Sequence, residues 1–180
     1  MIAQPCVYLK ALPDFSVFQF RADKNGAVII QLCFTSQRQD IYDLGIQQGL
    51  DFRLLPTCLL TEEEVDNLIL TIIGIIELYT GKYPDRVIRL SGINRLQATL
   101  FRVILRFHHD ILQPLFAIDE EGKRQFFPFR RSADNNVFLL KRKPECYSMD
   151  HPVRTTLSTR SRLLGNPVHV ELQKDFPLCG

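Results

Sequence analysis

Residues 61–84 constrain the fold more than any other segment. Thr61-Glu62-Glu63-Glu64 reads as a capping box, in which the Thr61 hydroxyl accepts from the backbone N–H of residue 64 while the Glu64 carboxylate reaches back. Three carboxylates in the first turn also suit the positive end of the helix dipole. The helix body carries Val65, Leu68, Ile69, Ile72, Ile73, Ile76, Leu78 and Tyr79, and Gly81 followed by Pro84 stops it. Only a narrow stripe near Asn67, Thr71 and Gly74 is left to face water. A helix this apolar must be covered. The longest apolar run, residues 68–76, is about half of the roughly 20 residues that span a bilayer. Asp66 and Glu77 flank it, so the cover is expected to be protein and not membrane.

Strand patterns on both sides of this helix supply the cover. In residues 15–21 Phe18 and Phe20 alternate with Val17 and Gln19, and Lys24-Asn25-Gly26 makes a turn before the apolar run 27–34, which together predict a β-hairpin. Residues 41–47 put Tyr42, Leu44 and Ile46 on one face and Asp43 and Gly45 on the other, a third strand. After the helix, residues 85–90 set Val87, Ile88 and Leu90 among Arg86 and Arg89 and end at Ser91-Gly92. A second helix follows at once, with Asn94 as its cap and Gln97 three residues on. Its apolar face is expected at Leu96, Leu100, Val103, Ile104, Phe107 and Ile111, and a basic face at Arg95, Thr99, Arg102, Arg106 and His109. Residues 115–118, 124–129 and 137–141 read as three closing strands, with Pro128 confining the middle one to an edge or a bulge.

The order βββ-α-β-α-βββ lacks sustained alternation of strand and helix. It predicts an α+β fold, a mixed and mainly antiparallel sheet with two packed helices. Residues 1–143 are expected to form a single domain. Residues 144–180, interrupted by Pro152, Pro167 and Pro177, are expected to form an extended or partly disordered extension in which residues 168–172 offer an edge strand.

Charge is laid out asymmetrically. The net charge of +2 excludes a globally basic coat for nucleic acid and an acidic solvating tail. Yet residues 1–85 hold 6 basic and 11 acidic side chains, whereas residues 86–143 hold 12 basic and 5 acidic. The second half therefore offers candidate contacts for an anion or a nucleic acid: Arg89, Ser91, Gly92, Arg95, Arg102, Arg106, Arg130, Arg131, Lys141 and Arg142. The alternative is a solvated basic face that pairs with the acidic first half or with a partner. At Ser91-Gly92 the backbone amides of a helix start stand beside a strand end, a geometry that holds anions. The motif is short, and no GxGxxG or GxxxxGK[ST] pattern accompanies it.

Other residues carry less. His108 and His109 lie about 100° apart on a helix and cannot face one metal together. His151 and His169 have no ligand pattern around them, and Asp119-Glu120-Glu121-Gly122 reads as a solvated turn. No GxSxG, HExxH or Cys-His signature is present, so no catalytic residue, metal or cofactor is assigned. Cys6, Cys33, Cys58, Cys146 and Cys179 stand at least 25 residues apart and are odd in number, the pattern of reduced thiols. With no secretory pattern at the N-terminus, a cytoplasmic protein is expected.

The stretch Tyr79-Thr80-Gly81-Lys82-Tyr83-Pro84-Asp85-Arg86-Val87-Ile88-Arg89-Leu90-Ser91-Gly92, the helix through Leu100-Phe101-Arg102 and the ending Val137-Phe138-Leu139-Leu140-Lys141-Arg142-Lys143 resemble a known family. It is a family of small uncharacterised proteins of Bacteroidota, a domain of unknown function, and the likeness runs over roughly residues 10 to 143. The resemblance implies a shared fold and brings no activity, cofactor or partner. It also implies Ser or Thr at the position of Ile93 and Arg at that of Gln97, two places where this chain differs.

The expected function is that of a small binding or interaction module, with a protein or a nucleic acid as partner and no membrane. A nucleic-acid-associated protein, such as one half of a toxin and antitoxin pair, is the first alternative. A hydrolase using carboxylates around Asp43 and the Gly92 turn is the second.

Overall fold

The computed structural model describes residues 8–22, 28–48, 60–92, 95–120, 137–144, 157–160 and 167–172. The elements are β1 (Tyr8–Ala11), β2 (Val17–Arg21), β3 (Ile29–Arg38), β4 (Ile41–Gln48), α1 (Glu62–Lys82), β5 (Val87–Leu90), α2 (Arg95–Phe107), α3 (His109–Leu112), β6 (Phe116–Glu120), β7 (Phe138–Arg142), β8 (Leu157–Arg160) and β9 (Pro167–Leu172). The fold is α+β, with a mixed and mainly antiparallel sheet. The chain divides into two compact units, one of Met1–Cys33, Ile46–Tyr79 and His151–Gly180, the other of Phe34–Gly45 and Thr80–Asp150.

In the first unit the strands are neighbours in the order β3, β2, β1, β9, β8. Antiparallel register sets Phe18 opposite Leu32 and Phe20 opposite Ile30, and all four are buried, because alternate residues share a face. The β1–β2 turn holds Phe15 at a φ of 59°, a conformation that is sparsely populated for a bulky residue. The Phe15 ring meets Phe18 edge-on at 5.3 Å, and Asp14 Oδ1 accepts from the Ser16 N–H at 3.0 Å and from its hydroxyl at 2.8 Å. β9 pairs in parallel with β1, Leu9 opposite Val170, and on its other side meets β8, so residues 168–172 belong to an internal strand and not to an edge. β1 and β8 escape the sequence pattern because four residues are too few to show a period.

The capping box forms as its sequence predicts. The Thr61 N–H and hydroxyl both donate to Glu64 Oε2, at 2.8 and 2.9 Å, and the Glu64 N–H donates to Thr61 Oγ1 at 3.3 Å. The expected wet stripe is not found along the helix. Residues 71–77 are all buried, Thr71 and Gly74 among them. Thr71 Oγ1 donates to the Asn67 carbonyl at 2.7 Å, so the hydroxyl is satisfied without water.

In the second unit the strand order is β6, β7, β5, β4, β3. β4 and β5 are parallel, whereas β5–β7 and β7–β6 are antiparallel. This register gathers Ile88, Leu90, Phe138, Leu140, Phe116 and Ile118 on one face, all of them buried. α2 contributes Gln97, Ala98, Leu100, Phe101, Ile104 and Leu105 to the buried interior. The connection from β5 through α2 to β6 joins parallel strands and is expected to be right-handed, which lays the helix on one side of the sheet.

Two details of α2 differ from the sequence reading. Its buried face is turned toward Phe101 and Leu105, while Phe107, expected in the core, is 74% exposed and Val103 and Ile111 are half-buried. The helix also ends at Phe107, and His108 (φ −113°, ψ 21°) separates it from α3. The predicted strand 124–129, the turn 132–136, the turn at Lys24-Asn25-Gly26 and the Asn94 cap lie outside the described residues.

Candidate functional site

Alternation along β4, β5, β6 and β7 sorts the charged side chains of the second unit onto two faces. On one face Asp43 stands beside Arg89 across the parallel β4–β5 pair, and Arg89 Nη1 donates to both carboxylate oxygens, at 3.1 and 3.2 Å. Both side chains are about a quarter exposed, at 26% and 22%. The same register sets Leu139 opposite Arg89 and Asp119 opposite Leu139, so the row reads Asp43, Arg89, Leu139, Asp119. One step along, Val87, Lys141 and Ala117 make the next row. Burial pushes the Asp119 carboxyl above its ordinary value of 3.8, because the charged form is disfavoured away from water. Arg89 and Lys141 thus share a face with two carboxylates, one of which Arg89 already holds.

The other face carries a second set of cations where α1 ends. Arg142, two residues beyond the buried Leu140, donates from Nη1 to Thr80 Oγ1 at 3.3 Å. Arg86, two residues before the buried Ile88, sets its guanidinium carbon 4.2 Å from the centroid of the Tyr42 ring and 3.6 Å from that of Tyr83. Lys82 Nζ lies 5.5 Å from the Tyr83 centroid. Lys143 is occupied elsewhere, its ammonium donating to the Gln113 carbonyl at 2.7 Å.

α2 supplies the third set. Arg95, Thr99 and Arg106 are exposed and Arg102 is half-buried, at the three- and four-residue spacing of one helical stripe. Thr99 Oγ1 donates to the Arg95 carbonyl at 2.8 Å. Phe107 stands in water at the end of this stripe. Ser91 and Gly92 are half-buried, and Gly92 (φ +65°) lies so near α2 that a Cβ there would stand 2.5 Å from the Ala98 nitrogen. This close approach by itself accounts for glycine at position 92.

The ten residues singled out from sequence are therefore not gathered in one place. Arg89 and Lys141 share one sheet face, Arg142 lies on the other, Arg95, Arg102 and Arg106 run along α2, and Ser91 and Gly92 form the turn between β5 and α2. Arg130 and Arg131 lie outside the described residues. Sequence reasoning passed over the Arg86, Tyr42 and Tyr83 stack and the exposed Phe107. The first needs the pairing of β4 with β5, and the second needs the exact rotation of α2, neither of which composition reveals.

Among the described residues no group of three or more His, Cys, Asp or Glu side chains stands close enough to hold a metal. His109 Nδ1 and Asp110 Oδ1 are 3.9 Å apart. Cys33 is half-buried and forms no disulfide, and no helix among the described residues is long and apolar enough to cross a membrane. A family model described as a family of unknown function (DUF6934) matches residues 8–143. No curated protein and no solved structure gives a significant match.

Proposed function

The chain therefore belongs to that family of unknown function, and we propose that it is a binding module which engages an acidic protein partner through the outward face of α2. Phe107 carries this reading. A phenyl ring left 74% exposed on a short helix forgoes the 1.5–3 kcal/mol or so that its burial would bring. Half-buried Val103, one helical turn earlier, adds apolar surface beside it, Arg106 is its neighbour in sequence, and Arg102 and Arg95 continue the positive stripe toward the start of α2. Aromatic residues and arginines are the side chains that most often dominate protein interfaces, and the cations call for a partner of opposite sign. The bacterial, Bacteroidota setting that the family resemblance implies and the cytoplasmic setting expected from the N-terminal pattern belong to this proposal.

A second reading has the same stripe contact nucleic acid. It is favoured by the helical spacing of Arg95, Thr99, Arg102 and Arg106, with Arg130 and Arg131 as further candidates. A photo-crosslinking residue placed at position 107 in living cells separates the two. An adduct that protease removes and nuclease leaves intact supports the protein partner. A nuclease-sensitive adduct, together with filter binding that weakens steeply with salt, supports nucleic acid. No adduct from position 107 removes the protein reading.

A further inference from the structure

α1 and α2 expose charges of opposite sign, and neither has a counter-charge within reach on its own helix. Residues 54–81 contain no Lys or Arg, so α1 meets its first cation at Lys82, its last residue. Residues 86–109 contain no Asp or Glu. Asp110, four residues beyond Arg106, lies past the break at His108 and stands 3.9 Å from His109 instead. A helix that faces only water is steadied by opposite charges three or four residues apart, and these two stripes hold no such pair. The exposed carboxylates of α1 are Glu62 and Asp66, and the exposed cations of α2 are Arg95 and Arg106. None of these four side chains enters an ion pair among the described residues.

Each stripe is edged with apolar side chains that the fold leaves partly in water. On α2 these are Val103, half-buried, and Phe107, 74% exposed, either side of Arg106. On α1 they are Val65, next to Asp66, and Leu70, one turn beyond it, both half-buried. Residues 71–77 are all buried, so the open part of α1 is its acidic start. The two surfaces therefore agree in kind, a line of one charge beside an apolar flank, and differ in sign.

We propose that the acidic partner of α2 is a second copy of this chain, which presents the Glu62 and Asp66 face of its α1 to Arg95, Arg106 and Phe107. This rests on the reading of α2 as a docking surface and names its occupant. Charge decides for a second copy. Residues 1–85 hold 6 basic and 11 acidic side chains and residues 86–143 hold 12 basic and 5 acidic, so every copy carries the surface and its complement. Opposed potentials of this kind steer encounter and fix register, and a contact between two different surfaces of one chain is heterologous.

The test is sedimentation velocity of the full chain over a range of concentrations at low and high salt. Reversible association that weakens as salt is raised is expected. Arg106→Glu and Asp66→Arg, both at exposed positions, are each expected to weaken it by about 10-fold or more while their urea midpoints stay near that of the parent. Mixed in equal amounts, the two variants are expected to associate again, because each brings the reversed charge that the other needs. Arg38→Glu, at an exposed position of β3, leaves association unchanged. A wild-type chain that stays monomeric at every concentration and at low salt overturns the proposal, and so do two folded variants whose mixture fails to associate. The crosslinking residue at position 107 tells this failure from that of the reading beneath it. An adduct with a different protein overturns the second copy alone, whereas no adduct removes the docking surface as well. An adduct of twice the chain's mass supports both.

Discussion

Gly92 and Ala98 meet backbone to backbone: a side chain on Gly92 would place its Cβ 2.5 Å from the Ala98 nitrogen and 2.8 Å from its Cα. This contact draws the start of α2 onto the end of β5 and explains why Gln97 and Ala98 are buried. A helix seated on residues 97 and 98 turns Phe101, Ile104 and Leu105 inward and carries Phe107 out into water.

Gly92→Ala should therefore destabilise strongly. The left-handed φ of +65° is unfavourable for any residue with a Cβ, and the neighbour in its way is backbone, which has no cheap way to give. A loss of about 1–3 kcal/mol from the conformation alone is expected in urea unfolding, with the clash added to it. Gly81→Ala is the contrast. Its Cβ would meet only Arg142 Nη1, at 3.6 Å, and alanine is the better helix former by roughly 0.5–1 kcal/mol, so stability should hold or rise.

The parts of this fold that were legible in sequence are those governed by local chemistry. Thr61 and Glu64 announce the start of α1, the alternation of Tyr42, Leu44 and Ile46 with Asp43 and Gly45 gives the two faces of β4, and Ser91-Gly92 marks the turn into α2. What could not be read depends on partners far away in the chain. β1 is four residues long and is defined by its pairing with β2 and with β9, whose Val170 stands opposite Leu9. Charge and membership of a strand or helix group the candidate cations in the sequence, whereas their faces are set by register: a single step along β7 separates Lys141 from Arg142 and sends them to opposite sides of the sheet. The exposure of Phe107 follows from the Gly92–Ala98 contact, which a count of apolar spacings does not contain.

Thr61→Ala removes the acceptor for the Glu64 N–H and the hydroxyl that donates to Glu64 Oε2. Capping substitutions of this type cost about 0.5–2 kcal/mol. The loss should appear as an earlier urea midpoint with unchanged slope, and Thr61→Ser, which keeps the hydroxyl, should recover most of it.

Asp43 and Arg89 should couple weakly despite their short distances. Each side chain is about a quarter exposed, and ion pairs open to solvent contribute roughly 0.2–1 kcal/mol. A double-mutant cycle with Asp43→Asn and Arg89→Gln is expected to return a value in that range that shrinks as salt is raised. A coupling several times larger would mean that the pair is shielded from water.

Asp119 should make stability depend on pH in the direction opposite to a paired carboxylate. Burial raises its folded-state pKa above the ordinary 3.8, so the folded protein binds the proton more tightly than the unfolded chain. Stability contributed by this group is then present below 3.8 and is lost as pH rises through the folded-state value. Asp119→Asn is expected to raise the thermal midpoint near neutral pH and to leave it little changed well below 3.8. A midpoint lowered at neutral pH would show that the ionised carboxylate is held by a favourable contact.

Phe107→Ser separates a surface role from a packing role. A ring 74% exposed contributes little to the core, and substitutions at such positions generally stay within about 0.5 kcal/mol of the parent. Phe101, fully buried on the same helix, sets the scale from the other side, since Phe101→Ala should cost about 3–5 kcal/mol. If the ring is an anchor for an acidic protein partner, Phe107→Ser should lower affinity by about 2 kcal/mol or more while the urea midpoint stays in place. Arg106→Glu, which reverses an exposed charge one residue away, should also weaken binding, chiefly by slowing association at low salt. A Phe107→Ser protein that unfolds as early as Phe101→Ala would place the ring inside the working structure, and the case for a partner at α2 would lose the observation that carries it.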